Sequence, residues 1–273
     1  MTSIATVRRP TLTRFFTGWR KGATNQLPTI ISLAVLILIW EAAVRLFNIN
    51  ELLLPAPSVI GLELIEVSNR GLLWGPLGNT LLALAVGLIA SLLFGIPVGI
   101  LFGASKVMDL LSTPYLWALR ATPRIAIAPL IAIWVGFGFG AKFWMVFLSA
   151  AITVLLITQE GVKTVDQSLV LVARSFGASK RDIYLKVVLP YILPFVANAV
   201  RNGIGIGIVA VLVVEMFSAT GGLGSQVMRA SNSYDGPRMY AYILVLMAVS
   251  LILIALSRRL ENFVSQWREE AYV

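Results

Sequence analysis

The chain predicts an all-α, polytopic membrane protein, and three observations predict it. Of its 273 residues 58% are hydrophobic and only 13% charged, short of the charged shell that a soluble domain needs. Its mean hydropathy is +0.86, and several apolar runs approach the ~20 residues that cross a ~30 Å hydrocarbon core. The basic residues are also placed unevenly. Arg8, Arg9, Arg14, Arg20 and Lys21 precede the first run without an acid among them, and Lys163, Arg174, Lys180, Arg181 and Lys186 crowd one internal segment.

The same features exclude other classes. A net charge of +9 spread over a soluble face with interleaved aromatics would suggest nucleic acid. Here the charge sits where anionic inner-leaflet headgroups attract it, so the expected partner is the lipid bilayer and not nucleic acid. The chain has no cysteine and no histidine, which removes disulfides, thiol nucleophiles, imidazole bases and the usual zinc or haem ligands. No catalytic residue and no metal site is expected. Arg8-Arg9 resembles a twin-arginine signal, but the run that follows is long and lacks a small-residue cleavage site. It reads as a retained first span.

Six spans follow in order. The first is Pro28 to about Phe47, with Pro28 suited to a helix N-terminus. A polar stretch to Gly78 contains Leu53-Leu54-Pro55-Ala56-Pro57-Ser58, where Ser58 is placed to cap a short helix carrying Glu63 and Glu66. The second span is about Asn79 to Ala104. The third, about Leu110 to Gly136, carries Pro114, Pro123 and Pro129 as breaks. Spans four, five and six are about Lys142 to Gln159, Val187 to Ser218 and Met239 to Leu256. With the N-terminus inside, six spans return Arg258, Arg259 and Arg268 to the same side. That arrangement puts most of the 22 basic residues in the cytoplasm, as the positive-inside rule requires. The organisation is then a cytoplasmic tail (1–27), a six-helix membrane domain (28–260) with a cytoplasmic hairpin at 164–189, and a cytoplasmic tail (261–273).

The hairpin is the most telling element. Asp166 can cap a helix through Leu169, Val172, Ala173 and Phe176, and Gly177 stands where a left-handed C-terminal cap is wanted. Ser179 starts a second helix with Asp182 three residues on, a capping-box spacing. Ile183 with Val187 or Val188 carries its apolar face into Leu189-Pro190 and the next span. Two short helices joined by a glycine make a knob that fits a groove on another protein; an amphipathic loop lying on the bilayer is the other reading.

No Gly-x-x-x-x-Gly-Lys-Ser/Thr phosphate loop exists. Gly136-Phe-Gly-Phe-Gly-Ala-Lys142 has the wrong spacing and lies between two apolar spans. Active transport would therefore draw on ATP hydrolysed by another polypeptide. A channel or a gradient-driven carrier is the alternative, although no inverted repeat marks a carrier.

Small residues and buried charges supply the remaining signals. Gly95, Gly99 and Gly103 recur every four residues, which lets helix backbones approach closely. Gly203, Gly205 and Gly207 recur every second residue and suggest a loosened or hinged segment beside a pathway. Charges at membrane depth are expensive and so are site candidates. Glu41 and Arg45, four apart in the favourable order, read as a structural pair. Arg120 and Arg124 lie near the proline breaks, towards the cytoplasmic mouth. Asn198, Arg201 and Asn202 lie deeper in span five. Arg201 is read as attracting an anion or as pairing with an acid. Glu215, almost four turns later, is read as touching substrate or as holding the outer gate region before Gly221-Gly222.

The segment LVARSFGASKRDIYLKVVLP (Leu171 to Pro190) resembles the EAA loop of ABC-importer permeases: Glu-Ala-Ala, three residues, Gly, nine residues, Ile, one residue, Leu-Pro. Ala173 takes the second alanine, Gly177 the glycine, Val187 the isoleucine, and Leu189-Pro190 complete it. Leu171 replaces the glutamate and Val172 the first alanine, which leaves Arg174 or the Lys180-Arg181 pair to make its polar contact. LLPAPSVI (from Leu53), LFGIPVGILFGAS (from Leu93), LRATPRIAIAPLIAIWVGFG (from Leu119) and VVEMFSATGGLG (from Val213) are similar to the nitrate/sulfonate/taurine branch of these permeases. The resemblance runs from about Ile39 to Leu260. Arg124 stands where that family often has a second proline.

The resemblance implies a type I ABC importer permease fold in a bacterial-type cytoplasmic (inner) membrane. The implied partners are a second permease copy, two cytoplasmic ATPase subunits and an extracytoplasmic binding protein. ATP and Mg would bind to the ATPase subunits and no cofactor to this chain. Ala173, Arg174, Ser175, Phe176, Gly177, Ala178, Ser179, Lys180 and Arg181 would dock the ATPase. The implied cargo is a small oxyanion (sulfonate, taurine, nitrate or bicarbonate), with heterocyclic vitamin precursors or aromatic acids as the alternative.

Overall fold

The computed structural model describes residues 27–218 and 221–269; the basic cluster from Arg8 to Lys21 lies outside the described residues. Every regular element among the described residues is helical. Five helices are long and apolar enough to cross a membrane, and a sixth span is a bent pair.

Helix α1 (Leu27–Leu46) is the most exposed, with an apolar surface nearly all round, and it is held through α2 (Pro57–Asn69). Ser58 is not the cap of α2. Pro57 occupies the first helical turn, and the Glu41 carboxylate accepts the Ser58 backbone N–H at 3.0 Å and its hydroxyl at 2.8 Å. Arg45 joins the same carboxylate at 2.5 Å. The pair expected from the four-residue spacing therefore doubles as a cap supplied from a neighbouring helix.

Helices α3 (Trp74–Ala104) and α6 (Phe139–Lys163) form the most intimate pair. The glycine stripe explains why. A Cβ on Gly99 would stand 2.7 Å from the Leu155 carbonyl oxygen and 2.8 Å from Thr158 Cβ, and one on Gly95 would stand 2.9 Å from Val154 Cγ1. Only hydrogen fits, so the backbones touch, as small-residue interfaces in membranes require.

The third span breaks once. Helices α4 (Lys106–Ala121) and α5 (Arg124–Val135) meet at 91° across Thr122-Pro123. Pro123 disfavours helical geometry in the residue before it. Pro114 and Pro129, also expected as breaks, sit inside α4 and α5 without ending either helix.

The hairpin is α7 (Gln167–Ser175) and α8 (Lys180–Ile183), continued by a π-helical turn at Tyr184–Val188. It runs directly into α9 (Leu189–Ser218). No hinge interrupts α9: Gly203 and Gly207 pack on Leu88 and Leu84 of α3, while Gly205 faces open space. Alternate glycines thus serve two faces of one helix. Helix α10 (Leu223–Asn232) leads to α11 (Gly236–Glu269). Helix α11 continues past Leu260 to Glu269.

Three apolar clusters stack along the bundle. A central one joins α3, α5, α6 and α9 through Leu84, Ile131, Met145 and Val211. One at the end holding the α3 N-terminus joins α2, α10 and α11 through Val67, Leu223 and Tyr242. One at the opposite end joins Val162, Val165, Ile183, Val188 and Ile192 beneath the hairpin.

Candidate functional site

Local chemistry shapes the hairpin at both ends of its turn. The Asp166 carboxylate accepts the Ser168 N–H at 2.8 Å, which starts α7 and holds this carboxyl below its usual range. At the far end Ala178 N–H reaches the Ala173 carbonyl at 3.1 Å and Gly177 N–H the Arg174 carbonyl at 2.9 Å. Gly177 has φ +76°, the left-handed geometry that this paired closure demands. Ser179 then caps α8, accepting Asp182 N–H at 3.2 Å, and Lys186 pairs with Asp182 at 2.7 Å.

The closed hairpin has two unlike faces. Ala173 and Ala178 pack towards Ile183, Val165 and Val162, which is not how a loop floating on lipid would sit. Leu169, Val172 and Phe176 lie on the flank beside Ala173 and are exposed, Phe176 at 87%. Leu171, in the place of the family glutamate, is exposed beside them. Arg174, Ser175, Ser179, Lys180 and Arg181 are exposed as well, and Arg174 and Lys180 line a groove of about 340 Å³ between the hairpin and the ends of α3 and α6.

The six pathway candidates fall into four places. Arg120 lies over the Trp117 ring at 5.4 Å and lines, with Asn198, Gln159, Glu160 and Lys163, a polar vestibule of about 360 Å³ at the hairpin end. Asp109 knits that vestibule's wall, accepting Lys163 at 2.5 Å and Gln159 at 2.8 Å. Arg201 turns the other way. Its guanidinium meets Glu261 of α11 at 2.9 Å and the Asn198 side-chain oxygen at 2.8 Å, and Asn202 donates to that same oxygen at 2.8 Å. Arg124 lies further from the hairpin than Arg120: beyond the 91° kink, its Nη1 donates to the Ser149 carbonyl at 2.7 Å, midway along α6.

Glu215 is enclosed. Its side chain is 0% exposed, and Lys142, 3% exposed, meets it at 2.9 Å. The Thr80 hydroxyl lies 2.9 Å from both carboxylate oxygens, and Gly224 N–H donates to Oε2 at 3.0 Å. Lys142 also donates to the Gly221 carbonyl, and Leu223 N–H donates to Thr80. A side chain at Gly222 would overlap the carboxylate. One carboxylate thus ties α3, α6 and α9 to the Gly221–Gly224 turn.

Residues 95–266 match the family described as binding-protein-dependent transport system inner membrane component. The chain belongs to this family. It is an inner-membrane permease, works with a separate ATPase and a substrate-binding protein, and is not itself the ATP-hydrolysing subunit. The permease is 31% identical over 92% of its length, and 94% of the other's, to the taurine transport system permease protein TauC of Escherichia coli. It is 30% identical over 92%, and 88% of the other's, to the aliphatic sulfonates transport permease protein SsuC of Bacillus subtilis. Among solved structures it is similar to an inward-facing MetNI methionine ABC transporter, with TM-score 0.62 and 20% identity over 70% of this chain and 95% of that one. That likeness shows the fold, a type I importer permease.

Sequence reasoning about the permease missed Lys142, taken as a span boundary, and Thr80, taken as ordinary helix. It also missed Asp109. The available signal was charge balance: a buried Glu215 demands a cation at equal depth, and Lys142 begins an apolar run with no nearby acid.

Proposed function

We propose that this permease forms the translocation pathway for a small oxyanion as a homodimer, with two ATPase subunits below and a binding protein outside. The hairpin supports the drive assignment most directly: its inner face is built into the bundle, its outer face is apolar and bare, and its turn is rigidly closed. In this reading the N- and C-termini are cytoplasmic, and residues 173–181 enter a cleft of the ATPase, with Phe176 as the central apolar anchor. ATP closes the ATPases and draws the paired hairpins together. The bundle ends at the α3 N-terminus then open to receive cargo from the binding protein. Hydrolysis restores the inward-open form, a two-state element biased by nucleotide.

An oxyanion as cargo is supported by TauC and SsuC among the relatives and by Arg124, the one charged side chain among those lining the mid-bundle cavity. Glu215 and Lys142 neutralise each other at the outer end and so act as a structural latch. Arg201, held by Glu261, serves the bundle more than the cargo, while Arg120, Arg124 and Asn198 face open volume. Gentle affinity purification from native membranes tests the assembly. A phosphate-loop ATPase recovered near one-to-one is the expected result, and a reproducibly lone chain, in detergent that preserves known complexes, overturns it.

A further inference from the structure

At the α4–α5 kink a single cation, Arg124, lines a cavity whose other walls are apolar except at Ser149. Ser149, whose carbonyl Arg124 touches, is ten residues into α6; at 1.5 Å per residue that is about 15 Å along the helix, near the middle of a ~30 Å hydrocarbon core. An arginine at this depth is costly, and no carboxylate lies within ion-pair distance of it among the described residues. Its guanidinium carries five N–H groups, and one of them is committed, to Ser149. The cavity beside it, about 360 Å³, is walled by Met145, Ile206 and Val209 and floored by Gly205. That volume lies at the low end of the ~300–1,000 Å³ of small-molecule sites.

Gly205 has no packing reason to be small. A Cβ there meets nothing within 4 Å, whereas Cβ atoms on Gly203 and Gly207 would stand 2.9 and 2.8 Å from leucine side chains of α3. Its missing side chain leaves room in the same cavity that Arg124 lines. Met145 in the wall is unbranched and adapts to irregular apolar shapes.

We propose that this cavity is a transit subsite for a monoanion with an apolar body. Arg124 takes the oxyanion head, with the planar fork that suits such groups, and the Met145–Ile206–Val209 wall takes the hydrocarbon. This rests on the reading of the chain as an anion importer and deepens it: the permease itself favours organic over inorganic oxyanions, and residues 124 and 205 set head charge and body size.

The chain has no cysteine, so Gly205→Cys puts its sole thiol in the cavity. The purified permease–ATPase complex in nanodiscs is treated with N-ethylmaleimide, and modification of this chain is followed by mass spectrometry. Hexanesulfonate slows labelling about tenfold, the factor that ~1.4 kcal/mol supplies, while methanesulfonate and hexanol leave it nearly unchanged. Adding Arg124→Met removes the protection and Arg124→Lys keeps part of it. Equal protection by hexanol, or protection that survives Arg124→Met, overturns the subsite. So does a thiol unreactive in every nucleotide state, which would mean that the second copy covers this face. Protection by hexanesulfonate and hexanoate in a complex whose vesicles take up no sulfonate would uphold the subsite and sink the sulfonate cargo alone.

Discussion

Glu215 and Lys142 are 73 residues apart in the chain yet share one dry pocket, and a residue-scale prediction follows from that. Removing one partner of a buried pair strands the other charge, at a cost of about 3–5 kcal/mol, whereas replacing both with apolar groups is often neutral. Glu215→Ala should therefore lower the thermal midpoint of the detergent-purified protein sharply, and Lys142→Met with Glu215→Leu should recover most of it. A single variant as stable as the parent would show that the pair holds nothing. The glycines sort by the same logic of what surrounds them. Gly99→Ala forces a methyl against the Leu155 carbonyl and Thr158 and should cost about 1–3 kcal/mol of overpacking. Gly205→Ala meets open space and should be neutral or slightly stabilising, since alanine favours helix by up to ~1 kcal/mol. Thermal melts of the two variants side by side check the contrast.

At the scale of elements, the hairpin and the last two long helices make separate predictions. Gly177 has φ +76°, a geometry that a β-branched residue resists by ~1–2 kcal/mol. Gly177→Val should loosen the turn, reduce ATPase recovered on the purified permease, and leave membrane insertion unchanged. Gly177→Asn, which tolerates the left-handed region, should be milder. Recovery of a full ATPase complement from the valine variant would remove the hairpin from the coupling path. The Arg201–Glu261 contact ties α9 to α11. Arg201→Glu should impair uptake, and adding Glu261→Arg should restore it, because the pair and not the cation at 201 is what matters. A double variant as inactive as the single one would return Arg201 to the cargo's path.

Over the whole molecule, the clusters at the two ends differ in what they hold. One end is latched by an ion pair, a threonine and a glycine turn, while the other is braced by apolar side chains beneath the hairpin and by Asp109 with Lys163 and Gln159. Moving the hairpins therefore strains the Asp109 brace directly and the Glu215 latch only through the length of α6 and α9. Asp109→Asn, which keeps the hydrogen-bond geometry and drops the charge, should raise basal ATP hydrolysis in the reconstituted complex without lowering its binding-protein-stimulated rate. An unchanged basal rate would mean that the brace does not resist the stroke.

The sequence alone determined the spans, the hairpin and its caps, because each of these depends on neighbours within about four residues. An apolar run, a left-handed glycine, and a serine or aspartate before a helix need no distant partner to be read. The approach of α3 to α6 was legible for the same reason, from glycines spaced along one face. What the tertiary structure decided was where each charge within the bundle ends. Glu41 caps α2 and displaces Ser58, Arg201 is claimed by Glu261, Glu215 by Lys142 and Thr80, and one proline of three makes the kink beyond which Arg124 meets the Ser149 carbonyl midway along α6. A buried charge takes whichever opposite charge or carbonyl the packing brings within 3 Å, and packing joins residues that are far apart in the chain.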